Sequence, residues 1–142
     1  MRYMDMQKEL REAIAAADAA LESLERARAS LRSARNWGIY DILGGGFISG
    51  LVKRSRMRSA GEEMEAARRE LSRFRRELED VDRIIDPGFK NFDLGAFGDL
   101  FMDGFLFDLI AQGKISDARE QVEKAIAEVR RIRSRLAQRL EG

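Results

Sequence analysis

Apolar residues recur along much of the chain at alternating spacings of four and three positions. The pattern is most regular over residues 60–85 and 115–140. Its members are Ala60, Met64, Ala67, Leu71, Phe74, Leu78, Val81 and Ile85 in the first stretch, and Ile115, Ala118, Val122, Ala125, Val129, Ile132, Leu136 and Leu140 in the second. Such spacing gathers side chains on one face of an α-helix. It predicts two long helices, each with an apolar stripe that must be buried.

A weaker stripe precedes these two. It contains Leu10, Ile14, Ala17, Leu21, Leu24 and Leu31 and is interrupted by Arg28. We expect this leading helix to run from about residue 4 to Arg35 and to stop at Asn36-Trp37-Gly38, because Asn and Gly tolerate the left-handed conformation that ends many helices. The second helix is expected to end before Pro87, which cannot continue a helix.

The chain also repeats itself at a shift of 58 residues. Gly38–Leu78 then falls on Ala96–Leu136, and the matches are not only hydrophobic. They include Asp41 with Asp99, Gly46-Phe47 with Gly104-Phe105, and Ser59 with Asp117, each of the last pair followed three positions later by a glutamate. Ser or Asp before a glutamate at this distance is typical of a helix N-cap. The repeat predicts a duplicated unit, a short apolar segment followed by a long helix.

These patterns predict a single all-α domain over residues 1–142. It contains a leading helix (1–36) and two linker-plus-helix units (37–86 and 96–141), arranged as three long antiparallel heptad-patterned helices, a helical bundle or coiled coil in up-down-up order. We expect both linkers to form short apolar helices that close the bundle ends. Their predicted packing faces are Ile39, Leu43, Gly46, Phe47, Gly50 and Leu51 in the first linker, and Phe97, Phe101, Phe105 and Leu109 in the second.

The first linker has two features that bear on function. Gly46 and Gly50 have the spacing that lets helices approach closely. The apolar run from Ile39 to Val52 is shorter than the roughly 20 residues that span a bilayer, and it contains Asp41. Close packing within the fold, insertion into a membrane interface and docking of a partner all remain open.

Composition argues against catalysis. The chain has no cysteine and no histidine, which removes thiol nucleophiles, the usual zinc ligands and the usual proton shuttle. Among Asp93, Asp99, Asp103 and Asp108, only Asp99 and Asp103 are placed on one helical face at a spacing of four, and two carboxylates are too few for a calcium site. We therefore predict no enzyme activity, metal, cofactor or small-molecule substrate. The amino terminus lacks an apolar signal sequence, so we expect a cytoplasmic protein, with attachment to a membrane surface as the alternative.

The net charge of +1 conceals an uneven distribution. In an up-down-up bundle the arginines late in the leading helix, those late in the third helix and the basic residues of the first linker share one end. The candidate anion-binding patch there is Arg28, Arg32, Arg35, Trp37, Tyr40, Lys53, Arg54, Arg56 and Arg58. Ion pairing with nearby glutamates is the simpler explanation of these charges. No nucleic-acid-binding motif accompanies them, which argues against nucleic acid as a partner.

Two functions remain. The first is a non-enzymatic interaction or scaffold protein that forms homodimers or binds a partner helix, because the alanine-rich leading stripe would leave apolar surface on the other helices uncovered. The alternative is a peripheral membrane protein that docks its basic end and its glycine-rich first linker on anionic lipid.

Overall fold

Three helices pack together in the structure, a computed structural model that describes residues 3–44, 47–84 and 114–141, with side chains at 5–32, 61–81 and 114–141. They are α1 (Tyr3–Gly44), α2 (Phe47–Ile84) and α3 (Ile115–Glu141). All of the regular structure in the described ranges is helical, which confirms the predicted all-α fold class.

The contacts between α1 and α3 fix their relative direction. Near the start of α1, the Gln7 side-chain amide donates to the backbone oxygen of Leu140, close to the end of α3 (3.5 Å). Farther along α1, Arg32 lies 3.9 Å from Glu123, close to the start of α3. An up-down-up bundle would instead bring the start of α1 beside the start of α3. The predicted up-down-up arrangement is therefore wrong, because α3 runs opposite to α1.

The first two helices form a long hairpin. Arg26 Nε of α1 lies 3.7 Å from Glu63 Oε2 of α2. Toward the start of α1, the Glu12 carboxylate lies in one cluster with that of Glu77, fourteen positions later in α2. Both α2 and α3 consequently run opposite to α1 and parallel to each other. The end of α2 and the start of α3 lie at opposite ends of α1.

The first helix is the central element, because it contacts both of the others. Within the described ranges, no Cα atom of α2 lies within 8 Å of a Cα atom of α3. Small side chains on α1 explain the difference, since the distance between two helix axes depends on the side chains at their contact. The fully buried residues of α1 are Leu10, Ala13, Ala16, Ala17, Ala20, Leu24, Ala27 and Leu31.

This buried face is broader than the stripe predicted from sequence. Ile14 and Leu21, which were assigned to the stripe, are only partly buried at its border. Ala13, Ala16 and Ala20, which were not assigned to it, are completely buried. A helix that packs against two neighbours needs a wide apolar face, whereas the four-three spacing identifies one narrow seam.

The stripes of α2 and α3 are buried as predicted wherever the structure describes their side chains. The buried members are Met64, Ala67, Leu71, Phe74, Leu78 and Val81 in α2, and Ala118, Val122, Ala125, Val129, Ile132 and Leu136 in α3; Ile126, which is not part of the predicted stripe, is also buried. Ile115 and Leu140 pack at the border, and the side chains of Ala60 and Ile85 lie outside the described ones. These stripes are covered within one chain, so the expected spare apolar surface along the described seams is not found.

The helix ends differ from the predicted ones. The first helix continues through Asn36-Trp37-Gly38 to Gly44, and Ser59 lies inside α2 rather than at its N-terminus. One glycine costs a helix only about 1 kcal/mol, which does not interrupt a helix with favourable neighbours. Three consecutive glycines begin where α1 ends. The described residues of the first linker thus belong to α1 and α2, while the second linker lies outside the described residues.

The alanine face generates a test of the packing. Ala20→Leu should lower the free energy of unfolding by about 1–3 kcal/mol, because added methyl groups cannot fit between closely packed helices. Ala15→Leu, on the exposed side of the same helix, should change it by less than about 0.5 kcal/mol. Urea unfolding followed by circular dichroism measures both. Equal effects of the two substitutions would contradict close packing on α1.

Candidate interaction surfaces

Ion pairs join the exposed edges of α1 and α3. Arg133 contacts both carboxylate oxygens of Asp18, with Nη2 at 3.4 Å from Oδ2, and this hydrogen bonding raises the arginine pKa above its ordinary value. Arg130 donates to Glu25 at 2.9 Å. Exposed pairs contribute only about 0.2–1 kcal/mol each, but unlike charges that meet at fixed positions favour one register over shifted ones. These side chains therefore align α3 on α1.

Two residues of the predicted anion patch, Arg28 and Arg32, have side chains that the structure describes. Arg32 pairs with Glu123, which also lies 3.7 Å from Arg119. Arg28 is half-buried beside the α1 core face. Ion pairing with nearby glutamates, the simpler explanation of the charges, applies to Arg32.

The helix directions also divide the predicted basic end. The arginine-rich final turns of α3 lie beside the start of α1, because Leu140 contacts Gln7. They share that end with the acidic final turns of α2. Late α1 instead lies beside the acidic start of α3, as the pair of Arg32 with Glu123 shows. The prediction that the arginines of α3 and those of late α1 share one end of the bundle is therefore wrong, and it followed from the wrong direction of α3.

The remaining predicted site residues divide into two groups. The first group has a described helical backbone but no described side chains. It consists of Arg35, Trp37, Ile39, Tyr40 and Leu43 in α1, and Phe47, Gly50, Leu51, Lys53, Arg54, Arg56 and Arg58 in α2. Outside the described residues altogether are Gly46, Phe97, Phe101, Phe105 and Leu109. The structure thus brings the first-linker residues together near one end of the α1–α2 hairpin.

We call residues 39–44 and 47–52 the hairpin tip, and residues 53–58 the basic collar. At about 1.5 Å per helical residue, Gly44 lies about 18 Å beyond the level of Arg32. The first residue of α3, Ile115, lies about 12 Å beyond that level, since Glu123 pairs with Arg32. The last turn of α1 therefore extends past the first turn of α3.

A cluster of carboxylates, absent from the sequence predictions, occurs where early α1 meets late α2. Oxygen atoms of Glu9, Glu12 and Glu77 lie within 4.8 Å of one another. Burial raises the pKa of Glu77 above its ordinary value, and the charges of Glu12, Asp80 and Glu9 raise it further, whereas Arg73 lowers it. Glu77 Oε2 is buried and accepts no hydrogen bond from the described part of the chain. Only the register of the hairpin could have revealed this cluster.

The cluster is an electrostatic cost rather than a built metal site. All three glutamates are partly exposed, and each offers one oxygen atom to the cluster, three in all, whereas calcium takes about six to eight. Like charges at this distance oppose the association of α1 and α2 at neutral pH.

Comparisons with known proteins provide no further assignment. The sequence matches no protein-family model and no curated protein, and the structure matches no solved structure. Among the helices that the structure describes, none has a stretch both long enough and apolar enough to cross a bilayer.

The glutamate cluster predicts a pH-dependent stability difference. Because the pKa of Glu77 is raised on folding, its unfavourable contribution is fully present above that pKa and disappears as the pH falls toward the ordinary value near 4.5. Glu77→Gln should therefore raise the free energy of unfolding by roughly 0.5 kcal/mol at pH 7, and its advantage should shrink on acidification. Urea unfolding at several pH values measures this difference.

Glu79→Gln is the matched control for that measurement. Glu79 is exposed on the same helix and lies 3.8 Å from Arg75, so its removal eliminates an attraction rather than a repulsion. It should give no gain at pH 7. A Glu77→Gln advantage that stays constant between pH 7 and pH 4.5 would contradict the assignment.

Proposed function

We propose that this chain is a non-enzymatic helical interaction protein. Its three helices cover their apolar core within one chain, and its binding surfaces lie on the exterior. The observation that carries the proposal is the burial of the apolar stripes within one chain. Phe74 of α2 and Ile132 of α3 are fully covered, as is the alanine face of α1. Partners that required these side chains would have to open the core, at a cost of about 1.5–3 kcal/mol for each large apolar side chain exposed.

The partner in this proposal is a second copy of the chain or a helix of another protein. The exterior of α2 and α3 carries many charged residues, as helices that pair along polar edges do. The absence of cysteine and histidine from the sequence favours binding over catalysis, because the commonest nucleophile–base pairs cannot be formed.

We also infer that the helices pack as an antiparallel coiled coil about α1 and that α2 and α3 descend from one duplicated unit. Five pairs of positions support the duplication, because both members of each pair are buried at the predicted shift of 58 residues. The pairs are Met64 and Val122, Ala67 and Ala125, Leu71 and Val129, Phe74 and Ile132, and Leu78 and Leu136. The two helices are parallel, as equivalent units packed on a common partner would be.

Covalent locking of the core tests whether assembly uses the exterior. The chain contains no cysteine, so Asp18→Cys with Arg133→Cys introduces two unique thiols at an exposed contact of α1 with α3. A short bismaleimide should join them within one chain. Light scattering behind gel filtration should then give the same mass before and after locking, at low and at high salt, alone and with a candidate partner.

The same two thiols would also reveal exchange of helices between chains. A mass that falls on locking, or cross-links that join two chains on a denaturing gel, would show that partners exchange helices through the core, and the proposal would fail. Asp18→Cys alone, treated with the same reagent, controls for modification of a single exposed position.

A further inference from the structure

We propose that the hairpin tip inserts into the interfacial layer of an anionic membrane, with the basic collar held against the lipid headgroups. This inference goes beyond the proposed function, since it adds a lipid surface to the protein partners proposed above. It is carried by the backbone, which makes residues 39–44 and 47–52 the two sides of one helical turnaround, and by the charges that adjoin them.

The dimensions of the tip fit the interface. Ile39 to Gly44 rises about 8 Å along α1, and Phe47 to Val52 rises about 8 Å along α2. Helices that lie in the interface bury their apolar parts by about 5–10 Å. The tip is thus deep enough to reach the boundary of the acyl chains and too short to cross the bilayer.

Charge is concentrated beside the tip. Residues 33–60 contain five basic residues and one acidic residue, a net charge of +4, whereas the whole chain carries +1 and the remainder therefore −3. Four of the five are Lys53, Arg54, Arg56 and Arg58, within the first three turns of α2. An anionic surface attracts such a segment, by about 1 kcal/mol for each basic residue near it.

Trp37 lies at the level of the collar, and Tyr40 lies within the tip. Trp37 precedes Gly44 by seven residues, about 10 Å along α1, and Lys53 follows Phe47 by six residues, about 9 Å along α2. Because α1 and α2 are joined through two residues, these positions have the same height above the turnaround. Tryptophan and tyrosine favour the headgroup layer, where the collar would contact lipid phosphate.

Asp41 is the one acidic residue within the tip, about 4.5 Å from Gly44 along α1. A carboxylate at this depth opposes insertion, both by its hydration and by repulsion from anionic lipid. Removal of its charge should strengthen membrane binding. If Asp41 instead paired with a cation of a partner protein, removal of its charge would weaken the binding of that partner. This opposite expectation makes Asp41 the residue that separates a lipid surface from a protein partner.

Trp37, the single tryptophan of the chain, provides the signal for the test. Full-length protein is titrated with vesicles of phosphatidylcholine containing phosphatidylglycerol, and with vesicles of phosphatidylcholine alone, while its fluorescence and co-sedimentation are measured. We expect a blue shift and sedimentation with the anionic vesicles only, weakened by salt. Arg54→Gln with Arg56→Gln should weaken the partition about thirtyfold, equivalent to about 2 kcal/mol.

The matched control removes the same charge elsewhere on the same helix. Arg69 and Arg76 are exposed on α2, away from the tip. Arg69→Gln with Arg76→Gln should change partition less than about twofold, because charges far from the surface are screened beyond about 10 Å. Phe47→Ser should weaken binding about tenfold through lost apolar contact, and Asp41→Asn should strengthen it severalfold.

Three results would overturn the inference. They are absence of sedimentation with anionic vesicles, equal weakening by the two double-arginine variants, and weaker binding of Asp41→Asn. None of them affects the closed-core proposal, which depends on the mass of the Asp18→Cys, Arg133→Cys chain after locking. Vesicle binding by the locked chain would support both, whereas binding that disappears on locking would show that the membrane engages an opened core.

Discussion

The close approach of α2 and α3 to the alanine face of α1 is the constraint on which the remaining structure depends. Alanine contributes little apolar area of its own, so α1 is stabilised mainly by the large side chains of its neighbours. Phe74 and Ile132, from α2 and α3, are fully buried in the core that this face helps to form. One helix can serve two partners in this way only if its face is wide and its side chains are small. The same property explains why the outer helices approach α1 more closely than they approach each other.

Helix direction then determines the electrostatics. With α2 and α3 both running opposite to α1, the acidic start of α3 lies beside late α1, and Glu123 meets Arg32. At the other end, the arginines of α3 lie near the acidic end of α2. The glutamates around Glu77 are the described exception, and their repulsion is compatible with folding because each is partly exposed.

Periodicity predicts the parts of this fold that depend on a single seam. The stripes of α2 and α3 could be identified because large apolar residues repeat there at regular spacing, and each described member is buried or borders the core. The face of α1 could not be delimited, since Ala16 or Ala20 has the same sequence appearance as the exposed Ala15. The predicted direction of α3 was wrong, because neither the apolar spacing nor the charges specify whether α3 runs parallel or antiparallel to α1. The carboxylate cluster depends on the register of α2 against α1, which the spacing does not specify either.

The continuation of α1 beyond Gly38 changes the meaning of the first linker. A separate short helix could fold over the bundle end and bury its apolar face there, which would leave the linker a structural cap. Two helices that instead continue to Gly44 and resume at Phe47 confine their unpaired backbone groups to the turnaround, where the last four carbonyl groups of α1 and the first four amide groups of α2 lack partners within their helices. An apolar segment whose unpaired groups are confined in this way can enter a less polar environment at lower cost than an irregular loop, since unpaired amides are expensive outside water. Helix continuity is thus the physical property that makes an apolar tip beside a basic collar suited to a lipid interface.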